Sequence, residues 1–283
     1  MQMDCDLFQG DKVKNELEAY LLGLFYADGC VAKFEYGCYR IFSISLSEKD
    51  KDYLQWITDV LNECLSAAYN IKYVKANKAF RLSVYKKEFI NNLVSLGITN
   101  NKTYENISFV FNNVPDELKR HFIRGYFDGD GSISFYKEKN RCHVGFVSLN
   151  NQLLVDLKEY VYNIFHFGSI RMDGKYSRYQ ICGNVSTKTF LDWLYHDSEY
   201  YMQRKYDKYL QIPSKKSRNV YKGITKEKRS KNNIYNANIY YDRKRHYIGS
   251  FKTVADAIAA YNTEAEKHDI KQQVYKGEEL YYE

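Results

Sequence analysis

Two aspartates stand out by their setting. Leu21–Gly29 reads LLGLFYADG, and Ile123–Gly131, 102 residues further on, reads IRGYFDGDG. Both stretches carry Gly at the third place, an aromatic at the fifth and Asp-Gly at the end, so Asp28 and Asp130 hold matched positions. Each stretch reads as the C-terminal end of an apolar helix, where a carboxylate meets the negative end of the helix dipole. Gly23 and Gly125 have no side chain, so two such helices can pack with their backbones close and deliver the two acids together. Neighbouring carboxylates repel and raise each other's pKa. A cation bound through oxygen atoms relieves that repulsion, and Mg²⁺ suits such ligands. Carboxylates that share metal ions can activate water and stabilise the charge of a phosphodiester transition state.

The elements that position these acids also occur twice. Around residues 13–27 a helix is predicted with Leu17, Leu21, Leu24 and Phe25 on one apolar face. Ile41–Leu46 alternates as a strand, followed by a helix over Asp50–Leu61, strands near 69–75 and 79–85, and a helix that stops at Gly97. Ser148-Leu149 and Phe190–Leu194 repeat Ser45-Leu46 and Phe89–Leu93 at similar spacing. The expected class is α+β: a pseudo-two-fold duplicated αββαββα unit with two antiparallel sheets. Residues 1–105 and 106–213 are the expected halves, with Pro115-Asp116 marking the second start. Pro213 opens a further segment, 214–283.

The chain's net charge of +7 is uneven. Ser214 to Glu283 carry 15 lysines and arginines against 9 acids, which suggests a module that binds a polyanion. Six cysteines form no CxxC pair and the histidines no HExxH, so buried reduced thiols are expected rather than zinc. No apolar run is long enough to span a membrane, and the polar, acidic start does not read as a signal peptide. A cytoplasmic or organellar-matrix protein, not a secreted one, is expected.

The two motifs, with the intervening LVSLGITNNKT and VPDELKRHF, resemble the paired signatures of monomeric LAGLIDADG homing endonucleases over about residues 13–212. The resemblance implies a saddle whose sheets lie in successive major grooves of double-stranded DNA. It also implies Mg²⁺-dependent cleavage of both strands of a long asymmetric target, with Mn²⁺ able to substitute, and mobility of a host intron or intein. Asp28 and Asp130 are then metal-binding catalytic acids, with Ala27 and Gly129 beside them at the metal. Tyr26 departs from the family's aspartate at the sixth motif place. The family often has a basic residue near the scissile phosphate where the last strand enters the last helix. Lys86 and Lys87 are the candidates here, Lys86 foremost, and the second half offers only Asn184 and the later Lys188. The polar strand faces present Ser43, Ser45, Lys72, Arg81, Ser83 and Tyr85 in one half. In the other they present Lys137, Arg141, His143, Arg171, Arg178 and Gln180, residue types that read bases and phosphates. A binding protein without cleavage on the same scaffold, an RNA maturase or a DNA-binding regulator, is the alternative.

The last segment reads as three short strands and a helix, TVADAIAAYNTEAEKH. Thr253 is its N-cap, and Ala255, Ile258, Ala259 and Asn262 stand at helical spacing. YKGIT, ANIYYDRKRHYIGSF and the alanine-rich helix resemble the APETALA-type (ethylene-response-factor) DNA-binding domain. Asn238, Tyr240, Arg243 and Arg245 are its expected DNA-facing residues.

Overall fold

The computed structural model describes residues 7–9, 12–33, 39–100, 102, 104, 111, 113–136, 141–212, 223–227, 234–242, 244–268 and 270. The chain forms two compact units, Met1–Pro213 and Ser214–Glu283. In the first unit the order is α1 (Glu16–Asp28), β1 (Gly29–Lys33), β2 (Tyr39–Ser47), α2 (Lys51–Leu65), β3 (Lys72–Val74), β4 (Ala79–Val84) and α3 (Lys87–Ser95). It then repeats as α4 (Lys119–Asp130), β5 (Ser132–Tyr136), β6 (Arg141–Ser148), α5 (Asn151–Phe165), β7 (Ser169–Asp173), β8 (Tyr176–Cys182) and α6 (Asn184–Tyr195). The αββαββα plan thus occurs twice. Each half folds its strands into an antiparallel sheet, in the orders β1-β2-β4-β3 and β5-β6-β8-β7.

Local chemistry sets the boundaries. Asn15 is extended and its side chain accepts from the Glu18 amide at 2.9 Å, which starts α1 three residues later than the apolar pattern suggests. Helix α2 runs past Leu61 to Leu65 because the apolar stripe continues through Leu54, Ile57, Leu61 and Leu65, all buried. Alternation then assigns the sheet faces. Val31, Phe42, Ile44, Leu82 and Val84 of the first sheet, and Val144, Phe146, Tyr179 and Ile181 of the second, turn into one continuous core.

Three sequence expectations need correction. Helix α1 is not one-faced: every residue from Glu18 to Tyr26 is buried, because the helix packs on its partner α4 as well as on its own half. A further helix, α7 (Gln203–Leu210), follows α6. Its buried residue is Lys205, so apolar periodicity could not reveal it. The thiols are not uniformly buried: Cys142 is, but Cys30 and Cys182 are exposed and Cys64 is intermediate. No helix among the described residues is long and apolar enough to cross a membrane.

The second unit carries β9 (Ile224–Lys226), β10 (Tyr235–Tyr241) and β11 (Lys244–Phe251), in the order β11-β10-β9, with α8 (Val254–Lys267) against one face. Thr253 caps α8, accepting from the Asp256 amide at 3.1 Å. The buried stripe is Ala257, Tyr261 and Ala265, with Ile258 packed at its edge; of the residues noted at helical spacing, Ala255 and Ala259 are exposed. Tyr261 sets the choice by packing with Ile239 and Ala265.

Candidate active site

Helices α1 and α4 meet backbone to backbone. A methyl group on Gly23 would lie 2.0 Å from the Phe122 carbonyl oxygen, and one on Gly125 would lie 1.9 Å from that of Tyr20. Neither position can carry a side chain without parting the helices. The contact continues to the helix ends. A methyl group on Gly129 would lie 2.2 Å from Ala27 Cβ and 3.0 Å from Asp28 Oδ2. The two motif termini are therefore in contact. Asp28 is half-buried and Asp130 exposed.

The charge of one acid bears on the other. Burial and the charge of Asp130 raise the Asp28 pKa to about 7, against the pull of Lys205 and Lys102. Asp130 is raised mainly by lost solvent, although its side chain still reaches water.

Two lysines that sequence reasoning missed flank the pair. Lys102, 9% exposed, donates to the Gly29 carbonyl at 2.6 Å. Lys205, 5% exposed, donates to the carbonyls of Phe127, Gly129 (2.9 Å) and Gly131 (2.7 Å). Each ammonium thus caps the C-terminal end of a motif helix, where positive charge is favoured, and pulls both aspartates toward ionisation. Burial presses Lys205 down to about 8 against the attraction of Asp128, Asp28 and Asp130. Their signal was the duplication itself, since Lys102 and Lys205 follow Asp28 and Asp130 at nearly the same interval.

The sixth motif place differs between halves. Asp128 is fully buried and accepts from Tyr20 Oη (2.7 Å), Tyr195 Oη (2.9 Å) and the Met202 amide (2.7 Å). Burial raises its pKa in spite of those bonds. Tyr26 accepts from Asn150 Nδ2 at 2.9 Å and packs edge-on against Tyr126.

Ala27 and Gly129 sit at the helix contact, with the Gly129 carbonyl already accepting from Lys205. Lys86 precedes α3, and its ammonium donates to the Leu65 carbonyl at 3.0 Å, closing the end of α2. Asn184 accepts from the Cys142 amide, and Lys188 pairs with Asp192. Among the described residues no group of three or more His, Cys, Asp or Glu side chains converges. The donors at the acid pair are oxygen atoms beside accessible solvent, which fits a largely hydrated Mg²⁺.

Cross-strand pairing aligns the expected sheet residues. Ser45, Arg81 and Lys72 form one row on the open face of the first sheet, with Arg81 Nε donating to Ser45 Oγ at 2.9 Å. Arg178 pairs with both Val147 and Arg171 in the second sheet, and Gln180 with Gly145 and Ser169. Arg141 and His143 share that open face. In the second unit Asn238, Tyr240 and Arg245 lie on the sheet face opposite α8, where Thr225, Asn236, Asn238, Arg245 and Tyr247 line a groove. Lys137 and Arg243 lie outside the described residues.

The LAGLIDADG-like domain family matches residues 15–97 and 117–194. No curated protein matches the sequence. Among solved structures, the meganuclease I-SmaMI bound to uncleavable DNA is similar over 69% of this chain and 89% of its own, at 14% identity and a TM-score of 0.47. The meganuclease I-AabMI bound to uncleaved DNA is similar over 69% and 87%, at 14% identity and a TM-score of 0.48. I-DmoI in complex with DNA and Mn is similar over 65% and 98%, at 17% identity and a TM-score of 0.46. The two segments matched by the domain family, one in each half, take in more than half of the 283 residues, and the chain therefore belongs to the LAGLIDADG-like domain family.

Proposed function

We propose that this protein is a site-specific DNA endonuclease. It hydrolyses a phosphodiester on each strand of a long asymmetric target, using Mg²⁺ or Mn²⁺, and so promotes mobility of its host element. The observation that carries this reading is the acid pair at the meeting point of two glycine-seamed helices, with a buried lysine on each side. Asp28 and Asp130, with carbonyl oxygens of Ala27 and Gly129 and with water, would hold Mg²⁺, which supplies Lewis acidity and a water of lowered pKa. Lys102 and Lys205 hold the acids toward the ionised form and place positive charge where a phosphate gains negative charge. They take the part that the resemblance assigns to Lys86, whose ammonium is bound at the end of α2. The open sheet faces, with Lys72, Arg81, Lys137, Arg141, Arg171, Arg178 and Gln180, would grip phosphates and read base edges.

The assignment of residues 1–105 and 106–213 as two DNA-embracing halves belongs to the same reading. So does 214–283 as a separate DNA-binding module resembling the APETALA type. Its sheet face opposite α8 offers Asn238, Tyr240 and Arg245, and Arg243 adds to the set.

The test is a plasmid library with randomised inserts, incubated with protein and Mg²⁺, the linear products being sequenced. The wild type should yield one recurring asymmetric site. Asp28→Asn and Asp130→Asn should bind that site in Ca²⁺ and leave it uncut. Cutting by either variant, or the absence of any recurring site, would overturn the proposal.

A further inference from the structure

The acid pair has unlike flanks. On one, Asn150 stands ahead of α5 and donates to Tyr26. The adjoining cavity of about 270 Å³ is lined by Tyr26, Tyr126, Asp130, Ser148, Asn150 and Tyr176 among others, with no lysine or arginine among the described residues. On the other flank Asp50 holds the matching place ahead of α2. It is buried, and accepts from Ser47 Oγ at 2.9 Å and from Nε and Nη2 of Arg204 at 2.9 and 3.2 Å. Those bonds hold its carboxyl below the usual range although burial works the other way. They also draw α7, from the end of the second half, against the rim of the first sheet.

A cleft of about 830 Å³ opens at that junction, lined by Ser47, Glu48, Lys49, Lys78, Arg204 and Lys208. Beside the Asp50-paired Arg204, three lysines and one carboxylate, Glu48, line it. Lys49, Lys78 and Lys208 make no ion pair among the described residues, and Arg204 Nη1 has no partner among them. Ser47 extends the β2 row Ser43, Ser45, so the cleft adjoins the polar face of the first sheet. Arg204, which lines the cleft, adjoins Lys205, whose ammonium is bound by the carbonyls of Gly129 and Gly131, so the cleft lies near the acid pair. Unpaired cations gathered in one concavity repel each other and focus a positive potential. An anion with repeating charge is the ligand that such a site fits.

We propose that this cleft seats backbone phosphates of duplex DNA on the first-half flank of the acid pair. The inference rests on the nuclease reading for its choice of polyanion. Phosphate contacts carry no sequence information, so the cleft would fix the position of the duplex and leave base choice to the sheet faces. The seat is shared between halves: Lys49 and Lys78 come from the first, Arg204 and Lys208 from the end of the second.

The test measures binding of the full chain to a duplex of about 30 base pairs of arbitrary sequence, in Ca²⁺, between roughly 50 and 200 mM salt. Lys78→Gln combined with Lys208→Gln spares the Asp50–Arg204 pair and should leave the thermal melt unchanged. The double variant should bind more weakly, and its log Kd against log salt should be shallower by about 1.8, or about 0.9 for each lost phosphate contact. Lys158→Gln on α5 should leave both quantities at their wild-type values. If the double variant matches the wild type while Arg178→Gln binds more weakly, the cleft is not a phosphate seat and the nuclease reading stands. If the wild type fails to bind any duplex, the nuclease reading falls first. If the double variant loses affinity only for an RNA of the same length, the cleft serves RNA and the proposal is overturned.

Discussion

The two halves of the first unit share a backbone plan and differ in what surrounds it. At the seam they are equivalent: Gly23 faces the Phe122 carbonyl as Gly125 faces that of Tyr20. One place beyond the aromatic they diverge, with Tyr26 in one half and a triply bonded Asp128 in the other. The lysine arms diverge too, Lys102 holding one carbonyl and Lys205 three. Among the described residues the open sheet faces carry Ser43, Ser45, Lys72, Arg81 and Ser83 on one side, and Arg141, His143, Arg171, Arg178 and Gln180 on the other. Close approach of main chains tolerates no variation, because an added methyl has nowhere to go. Side chains that only need a partner can change as long as the partner changes with them.

The largest effect should come from the shared element. Gly23→Ala and Gly125→Ala should each destabilise the protein by about 3 kcal/mol or more, since backbone oxygens occupy the added atom's place. Chemical denaturation would show it. A large loss at one glycine and none at the other would break the equivalence of the seam. Next comes the sixth motif place. Asp128→Ala strands three buried donors and should cost about 3 kcal/mol, whereas Tyr26→Phe removes a polar contact worth about 1 kcal/mol. Equal losses would mean that the two places do the same work.

The acids themselves should separate by pH. In chelator, Asp28 has a folded pKa of about 7 against an ordinary value of 3.8. Below the ordinary value both states are protonated and the site costs nothing. As pH rises from about 4 to about 7 the unfolded chain ionises first, so stability falls, and above about 7 the penalty is constant. Asp28→Asn should therefore raise the melting temperature at pH 8, by an amount equivalent to roughly 1–3 kcal/mol, and leave it unchanged at pH 4. Asp130→Asn, at the more exposed carboxyl, should do less. A gain at pH 4 as large as that at pH 8 would show that charge is not the cause. The smallest effects belong to the sheet faces. On the proposed target, Arg178→Ala should weaken binding roughly tenfold, and Ser45→Ala should change it by no more than about twofold. Equal changes would erase the contrast between the faces.

The sequence disclosed what repeats and hid what touches. The Gly and Asp pairs could be aligned by eye, and the alternation of Phe42, Ile44 and Leu46 gave a strand with its inward face. The all-round burial of α1 was not readable, because it depends on α4, a neighbour about a hundred residues away. Helix α7 was missed because the residue it buries is a lysine. Lys102 and Lys205 were hidden among 42 lysines and arginines, since nothing local distinguishes an ammonium that will cap a distant helix. Lys86 looked better placed by motif, yet its partner proved to be the Leu65 carbonyl.

The glycine seam also sets a ruler. Where two backbones are in contact, the helices can neither slide nor splay without breaking that contact, and each helix passes into the first strand of its sheet with at most one residue between. The separation of the two sheets is thereby as fixed as a bond angle. For a duplex lying across both, one base pair added between its halves would shift the far half by about 3.4 Å and turn it by roughly a tenth of a revolution. The close-packed seam leaves the helices no room to follow. Targets should therefore tolerate a changed base far better than a changed length.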